Sequence, residues 1–170
     1  MLQMAIKVKV RKLGKSFSSL KQLEQYITQQ VNSSLQKEMS EMVKDKISDH
    51  VKTDVYDKYP NPVMYKRRGF IEGSLGLGDT GQMNSHLIED GVLEVVDNAD
   101  FNHSFAYNHG GYGGVDLGES LAHNIEFGYG NDPWSKPRPF IKNTREEIGS
   151  KGLHFQTMKS ALKTRGIDVV

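Results

Sequence analysis

The sequence SLKQLEQYITQQVNSSLQKEMSEMVKDKISDHVKTDVYDK, residues 19–58, decides the fold that we predict for this chain. Apolar residues recur in it at almost every fourth position, and neither proline nor glycine interrupts it. This spacing places the apolar side chains along one face of a helix, and Ser19 with Gln22 forms a capping box that opens it. We therefore predict a long helix over about 19–58, either continuous or divided into two helices near Asn32-Ser33-Ser34.

Strands are predicted before and after the long helix. Residues 4–11 alternate apolar and basic side chains, which is the pattern of a half-buried strand. Two apolar runs flank Asp90 and Gly91, which predicts a hairpin over about 84–98 with a two-residue turn. The order of elements predicts an α+β fold with an N-terminal strand, a long helix, an antiparallel sheet built on the hairpin, and a C-terminal helix.

The C-terminal part of the chain predicts further helix. A helical segment is expected over about 139–165, and Thr144 begins a second capping-box pattern within it. The Gly- and His-rich residues 101–115 predict a flexible loop between the hairpin and this segment. The length suits one hydrophobic core, so we predict a single domain over residues 1–170.

Charge is sorted into three blocks along the sequence. Residues 69–135 contain eleven acidic residues, no Lys or Arg, and 13 of the 17 glycines. Residues 1–68 carry fourteen basic against seven acidic residues, and residues 136–170 carry eight against three. Surfaces of opposite sign on one subunit can meet head to tail, and charge complementarity fixes register and partner. The sorting therefore suggests contact between copies of the chain.

The composition disfavours several classes of protein. The chain has no cysteine, which excludes disulfides and cysteine-based zinc sites. No apolar run approaches the roughly eighteen residues of a membrane span, and the first residues lack the apolar region of a usual signal peptide. The apolar content of 36% is low for a self-sufficient globule. We therefore expect a modest core and a surface that partners complete.

Three patterns with catalytic or metal-binding precedents lack the context that their chemistry needs. Asp79 begins a match to the aspartic-protease triplet, but no apolar strand precedes it. Ser120 lies in a loose nucleophile elbow without a buried strand before it. The histidines and acids between Asp100 and His123 are spaced too irregularly for a typical metal site. We predict no catalytic residue, no metal site and no cofactor.

A basic triplet offers a different function. Lys66, Arg67 and Arg68 follow Tyr65, and adjacent cations beside an aromatic ring can grip phosphate. One interpretation is a DNA-binding or packaging accessory protein that uses this triplet and the basic C-terminal segment. The alternative is a solvated loop or a clamp on the chain's own acidic block, because one triplet is a poor nucleic-acid footprint.

Two short motifs carry a family resemblance. Residues 122–128 read Ala-His-Asn-Ile-Glu-Phe-Gly, and residues 137–141 read Pro-Arg-Pro-Phe-Ile. Together they resemble the signature of the small tail-completion, or minor tail-component, proteins of long-tailed bacteriophages. The predicted order of elements also resembles that family, and residues 55–68 are similar to versions from phages of Gram-positive hosts. The family's usual Thr-Gly-x-Leu appears only as Thr-Gly-Gln-Met over residues 80–83.

The resemblance implies a structural protein of the virion neck, made in the host cytoplasm, and not an enzyme. Such proteins form rings around the DNA path, and we expect a hexamer-like homo-oligomer. The implied neighbours are the head-completion or connector protein and the tail terminator or tail tube protein. DNA would pass without sequence-specific binding, and no membrane partner is implied.

Assembly contacts are expected from both motifs and the basic triplet, at Tyr65, Arg67, Arg68, Glu126, Phe127, Arg138 and Phe140. Glu126 and Arg138 flank a turn and would pair either within the subunit or across a subunit boundary. Phe140 is expected to be either an ordinary core residue or an apolar anchor at an interface. Asp100 and Asp116 are expected to line the lumen or face a neighbour's basic block, because an acidic wall would keep DNA from sticking.

Overall fold

The computed structural model describes residues 16–58, 76–98, 121–128 and 136–169. Contacts divide the chain into two compact units. The first unit combines residues 1–42, 85–94 and 149–170, and the second combines residues 43–84 and 95–148. The strand predicted over 4–11 and the loop predicted over 101–115 lie outside the described residues, and the single domain stays a prediction.

Helices dominate the described residues, and one pair of strands accompanies them. The long helix comprises α1 (Leu20–Ser34), a π-helical segment (Leu35–Met39), α2 (Ser40–His50) and a second π-helical segment (Val51–Tyr56). After a short 3-10 turn (Thr80–Gln82), strands β1 (Met83–Glu89) and β2 (Val92–Asp97) pair in an antiparallel hairpin. The remaining helices are α3 (Leu121–Phe127), α4 (Phe140–Ser150) and α5 (Leu153–Thr164). The predicted α+β fold is confirmed.

The long helix is continuous through residues 32–34, where the sequence also allowed a break. Apolar residues spaced by four turn by about 40° per step around an α-helix of 3.6 residues per turn. A π-helical turn holds more than four residues, so residues four apart turn the other way there and offset this drift. The two π-helical segments contain buried residues with this spacing, Leu35 with Met39 and Val51 with Val55. The π-helical segments therefore help to keep the residues spaced by four on one face of the long helix.

The core of the first unit forms where the long helix meets α5. Its buried apolar residues are Leu35, Met39, Met158, Ala161, Leu162, Ile167 and Val169. Just beyond α5, Arg165 donates hydrogen bonds to both carboxylate oxygens of Glu38, at 3.0 and 2.9 Å. This two-bond ion pair ties the end of α5 to the first π-helical segment.

The hairpin turn is held by a side chain of α1. Gly91 has a φ of 81°, a conformation that glycine adopts readily and other residues rarely. The side-chain amide of Asn32 donates to Asp90 Oδ1 at 2.8 Å and accepts from the Gly91 N–H at 2.9 Å. A hydroxyl pair, Ser40 with Ser85 at 2.7 Å, adds a second link. These bonds fix the tip of the hairpin on the long helix.

The core of the second unit is one apolar cluster of Ile47, Val51, Val55, Leu77, Met83 and Phe140. Two hydroxyls fasten the segment before the hairpin to the long helix. Tyr56 donates to the Leu77 carbonyl oxygen at 3.1 Å, and Ser48 donates to the Gly78 carbonyl oxygen at 2.7 Å. The core of this unit therefore includes residues from the long helix, the segment before β1, β1 itself and α4.

Asp79, which begins the protease-like triplet, caps the 3-10 turn. It is buried, and its Oδ1 accepts a hydrogen bond from the Gly81 N–H at 3.0 Å. A Cβ atom on Gly81 would lie 3.2 Å from that oxygen, which explains the glycine at this position. Asp79 therefore stabilises the 3-10 turn, which is a structural role.

The second capping-box prediction is wrong. Thr144 lies inside α4, which begins at Phe140, and it is buried. Its hydroxyl donates to the Phe140 carbonyl oxygen at 2.7 Å, one turn earlier in the helix. A threonine that bonds back in this way needs no capping role.

Candidate functional site

The two motifs that carried the family resemblance meet in the second unit. Helix α3 ends at Phe127, and Gly128 after it has a φ of 78°, the left-handed conformation that commonly closes a helix. The chain re-enters the described residues at 136 and begins α4 at Phe140. The Arg138 N–H donates to the Ile125 carbonyl oxygen at 2.8 Å. The proline motif is therefore bonded directly to the last turn of α3.

Glu126 connects the motifs through its side chain. Its Oε2 accepts from the Ile141 N–H at 2.8 Å, and its Oε1 accepts from the Lys142 N–H at 3.0 Å. Both donors belong to the first turn of α4, where N–H groups have no partner within the helix. The residue is only 7% exposed. Glu126 therefore caps α4 from another helix, and its negative charge suits the positive end of the helix dipole.

The sequence contained a signal for this cap that pattern analysis missed. Residues 137–139 read Pro-Arg-Pro immediately before α4, and none of these side chains is a hydrogen-bond acceptor that could cap the helix. A helix that starts after such a segment needs a cap from elsewhere, and an acid in the nearby motif can supply it. The sequence predicts instead that Glu126 pairs with Arg138, either within the subunit or across a subunit boundary. No ion pair joins these two side chains among the contacts between described residues.

The aromatic residues of the two motifs face different surroundings. Phe140 is fully buried in the core of the second unit, which is the ordinary core role that the sequence allowed. Phe127, one residue after the capping glutamate, is 64% exposed. The ring of His123 lies 4.7 Å from the Phe127 ring between centroids. Phe140 thus anchors the motifs in the core, whereas Phe127 remains at the surface.

An open groove of about 670 Å³ lies along these residues. Its apolar lining comes from the two motifs and the first turn of α4, namely Ala122, Phe127, Pro137, Pro139 and Ile141. Lys142 and Arg145 also line it, together with Glu146. A mostly apolar groove with a few charged side chains can bind a side chain or a short segment of another protein. We call it the motif groove.

The other predicted contact residues have different outcomes. Arg138 is half-buried beside the motif groove, and its hydrogen bonds among the described contacts are made by its backbone: the N–H donates to Ile125, and the carbonyl oxygen accepts from Phe140. Tyr65, Arg67 and Arg68 lie outside the described residues, as do Asp100 and Asp116. Their roles, and the interface role of Phe140, stay predictions.

A separate polar cluster joins the long helix to α4 in the second unit. His50 Nδ1 lies 2.9 Å from an Asp54 oxygen, and His50 Nε2 lies 2.8 Å from a Glu147 oxygen. Asn143 donates to Asp54 at 2.9 Å. Within the described ranges, no group of three or more His, Asp or Glu side chains is arranged to hold a metal ion. The hydrogen bonds of this cluster link the two helices.

Hydrogen bonds shift the pKa of Asp54 in this cluster and of Lys46 beside it, whose Nζ lies 3.5 Å from a Glu147 oxygen. Burial raises the pKa of Asp54, but hydrogen bonds from Asn143, His50 and Lys58, with the charge of Lys58, together hold this pKa below its ordinary value of 3.8. The hydrogen bond to Asp49 raises the pKa of Lys46 above its ordinary value of 10.5. Both shifts favour the charged forms, as expected for side chains that have partners of opposite sign or hydrogen-bond donors.

Comparison with protein families finds one match that includes both motifs. The family model named YomN matches residues 19–164, which is most of the chain. The chain belongs to the YomN family. YomN is a phage-associated family, so this YomN-family chain is a phage protein. No curated protein and no solved structure matches it. Among the described helices of this YomN-family chain, none is both long and apolar enough to cross a membrane.

Proposed function

We propose that this chain is a structural protein of the phage neck that joins the head connector to the tail around the DNA path. Its membership of a phage-associated family supports a phage role. The finer assignment rests on the two motifs that resemble tail-completion proteins. The observation that carries it is the cap made by Glu126, which joins both motifs beside the exposed Phe127.

The proposal explains why a surface aromatic residue sits on a rigid base. Glu126 fixes the start of α4, and Phe140 anchors that start in the core. The motif groove is therefore held in shape before any partner arrives, which lowers the entropic cost of binding. A pre-formed apolar groove suits repeated protein contacts, whereas the chemistry of a reaction requires reactive groups that converge on one point. We accordingly propose an assembly role without catalysis or a cofactor.

In the proposed assembly, copies of the chain form a hexamer-like ring. One face of the ring would contact the head-completion or connector protein, and the other would contact the tail terminator or tail tube protein. The acidic block would line the lumen or meet the basic block of a neighbouring copy. Charge complementarity of this kind sets the register of repeated contacts.

Deletion of the gene from the phage that encodes this chain tests the proposal. Electron microscopy of the lysate should show DNA-filled heads and separate tails, because the joint between them is missing. A plasmid copy of the wild-type gene should restore joined particles. Joined, infectious particles from the deletion strain would contradict the neck role.

A matched pair of variants sharpens this test. Phe127→Ser removes the exposed aromatic residue of the motif groove and should fail to restore joined particles. Phe155→Ser changes another exposed aromatic residue, on α5 and 41% exposed, and should restore them. Equal rescue by both variants would show that Phe127 in the motif groove is not needed to join heads and tails. Salt-sensitive DNA retention by the purified chain, with normal joining in the deletion strain, would favour the DNA-binding alternative.

A further inference from the structure

Basic residues border the motif groove, and they cluster in the sequence that forms one of its sides. Residues 136–145 carry four cations and no acid, and Lys142 and Arg145 line the groove itself. Two acids line the groove: Glu126 accepts hydrogen bonds from two backbone N–H groups, and Glu146 lies 3.8 Å from Lys142 in an exposed ion pair. The surface available to a ligand is therefore apolar, and the charged side chains beside it, apart from the buried Glu126, have a net positive charge. Its complement is an apolar group that carries acids.

The tip of the hairpin has that complementary character. Ile88 is 61% exposed and Val92 is 39% exposed, on either side of the turn. Glu89, Asp90 and Glu94 are close to them in the sequence, and residues 69–135 contain no Lys or Arg. The histidine of β1, His86, lies 3.1 Å from a Glu94 oxygen. The exposed β-branched residues of the hairpin tip therefore form a small apolar surface whose neighbouring charged residues are mostly acidic. The Asn32 amide holds this tip in a fixed shape.

We propose that the hairpin tip of one copy docks in the motif groove of the next copy. Ile88 and Val92 would enter the apolar groove, and the acids beside them would face Lys142 and Arg145. The occupant is a second copy because both complementary surfaces belong to the same chain. The contact joins different surfaces of identical subunits, so each copy can both give and receive one hairpin tip, and the series closes into a ring where the rotation allows.

This inference rests on the proposed ring and names the surfaces that build it. It also explains why the acidic block includes the hairpin while the basic block includes α4. The chain's own residues 129–135, which connect α3 to α4 and lie outside the described residues, are the other occupant to consider. A tail or connector protein is a third.

Cysteine cross-linking tests the contact directly, because the chain contains no cysteine of its own. Glu89→Cys marks the hairpin tip, and Glu146→Cys marks the groove while leaving its cations in place. Equal amounts of the two single variants are mixed and treated with a short bismaleimide. A cross-linked dimer should form in the mixture and be scarce with either variant alone. The double variant should give a ladder of dimers, trimers and larger species.

A matched pair of apolar substitutions supplies the control. Val92→Ser in the hairpin tip should reduce the cross-linked yield about tenfold, since burial of a valine contributes about one tenfold step in affinity. Val96→Ser changes a residue that is equally exposed, at 39%, but lies outside the tip. The yield with Val96→Ser should match the unsubstituted pair.

The results separate this inference from the proposed function. If light scattering shows a multimer but the mixture gives no dimer, the docking is wrong and a ring built on other surfaces stands. The same result is expected if residues 129–135 fill the groove. Equal yields with Val92→Ser and Val96→Ser would also overturn the docking. A chain that stays monomeric at every concentration would overturn it as well, whereas the gene deletion separately decides the neck role.

Discussion

Removal of the Glu126 cap is the sharpest perturbation of the candidate site. In Glu126→Ala, the N–H groups of Ile141 and Lys142 both lose their acceptor. An unsatisfied buried donor costs about 1–3 kcal/mol, and loss of a helix cap typically costs about 0.5–2 kcal/mol. The adjoining groove is open, so water can reach part of the helix end. We therefore expect a loss of roughly 2–4 kcal/mol in the free energy of unfolding.

Urea unfolding followed by far-ultraviolet circular dichroism measures this loss. With a slope of about 2 kcal/mol per M, the midpoint should fall by roughly 1–2 M urea. Glu126→Gln keeps one acceptor oxygen and should lose about half as much. Amide hydrogen exchange gives the local result, because Ile141 and Lys142 should exchange faster in the alanine variant.

Glu146→Ala is the matched control for this prediction. Glu146 lies on the same helix with a side chain that is 65% exposed, and its ion pair with Lys142 is 3.8 Å long. Its removal should change the free energy of unfolding by less than about 0.5 kcal/mol. If Glu126→Ala behaves like this control, with unchanged exchange at Ile141, the capping argument is wrong.

Three further perturbations test the two units. Burial raises the pKa of Glu38, but the hydrogen bond from Arg165, a backbone hydrogen bond and the charges of Arg165 and Lys37 together hold the pKa below 4.5. Arg165→Met should therefore cost about 1 kcal/mol at pH 7, and the part of this cost that comes from the ion pair should be lost as the pH falls through the folded-state pKa. Asn32→Ala should cost about 1–2 kcal/mol and speed hydrogen exchange at Gly91, whose N–H it leaves without its acceptor. The lowered pKa of Asp54 means that its stabilisation is complete above about pH 3.8 and is lost on acidification, so Asp54→Asn should flatten the stability curve in that acid range.

Neighbouring residues provide controls for these variants. Ser33→Ala changes an exposed residue next to Asn32 and should leave exchange at Gly91 unchanged. Lys163→Met removes a cation near Arg165 that has no ion pair among the described contacts, and it should not alter the pH dependence. Equal effects from a variant and its control would show that the named hydrogen bond is not the cause.

The long helix and the hairpin were predictable because their signals are local. Apolar residues spaced by four and the Asp90-Gly91 turn each fix a structure within a few residues. The continuity of the helix past Asn32 was not predictable. That residue favours a break by its own propensity, and its amide finds partners only when the hairpin tip lies against the helix.

The two motifs located the candidate site in the sequence, but they did not reveal the hydrogen bonds by which Glu126 caps α4. Thr144 with Glu147 reads as a capping box, yet the helix starts four residues earlier because Glu126 caps it from α3. A cap supplied from another element has no fixed spacing, so a local pattern cannot reveal it. The sequence also does not reveal which of the two motif phenylalanines is buried. The structure shows that Phe140 is buried and Phe127 is exposed.

The most direct test of the central claim is to locate the chain in the virion by cryo-electron microscopy of purified particles. Particles should show a closed ring of this chain at the junction of head and tail, with the motif groove of each copy at a boundary between subunits. Density for the chain elsewhere in the particle, or particles that lack the chain altogether, would contradict the account.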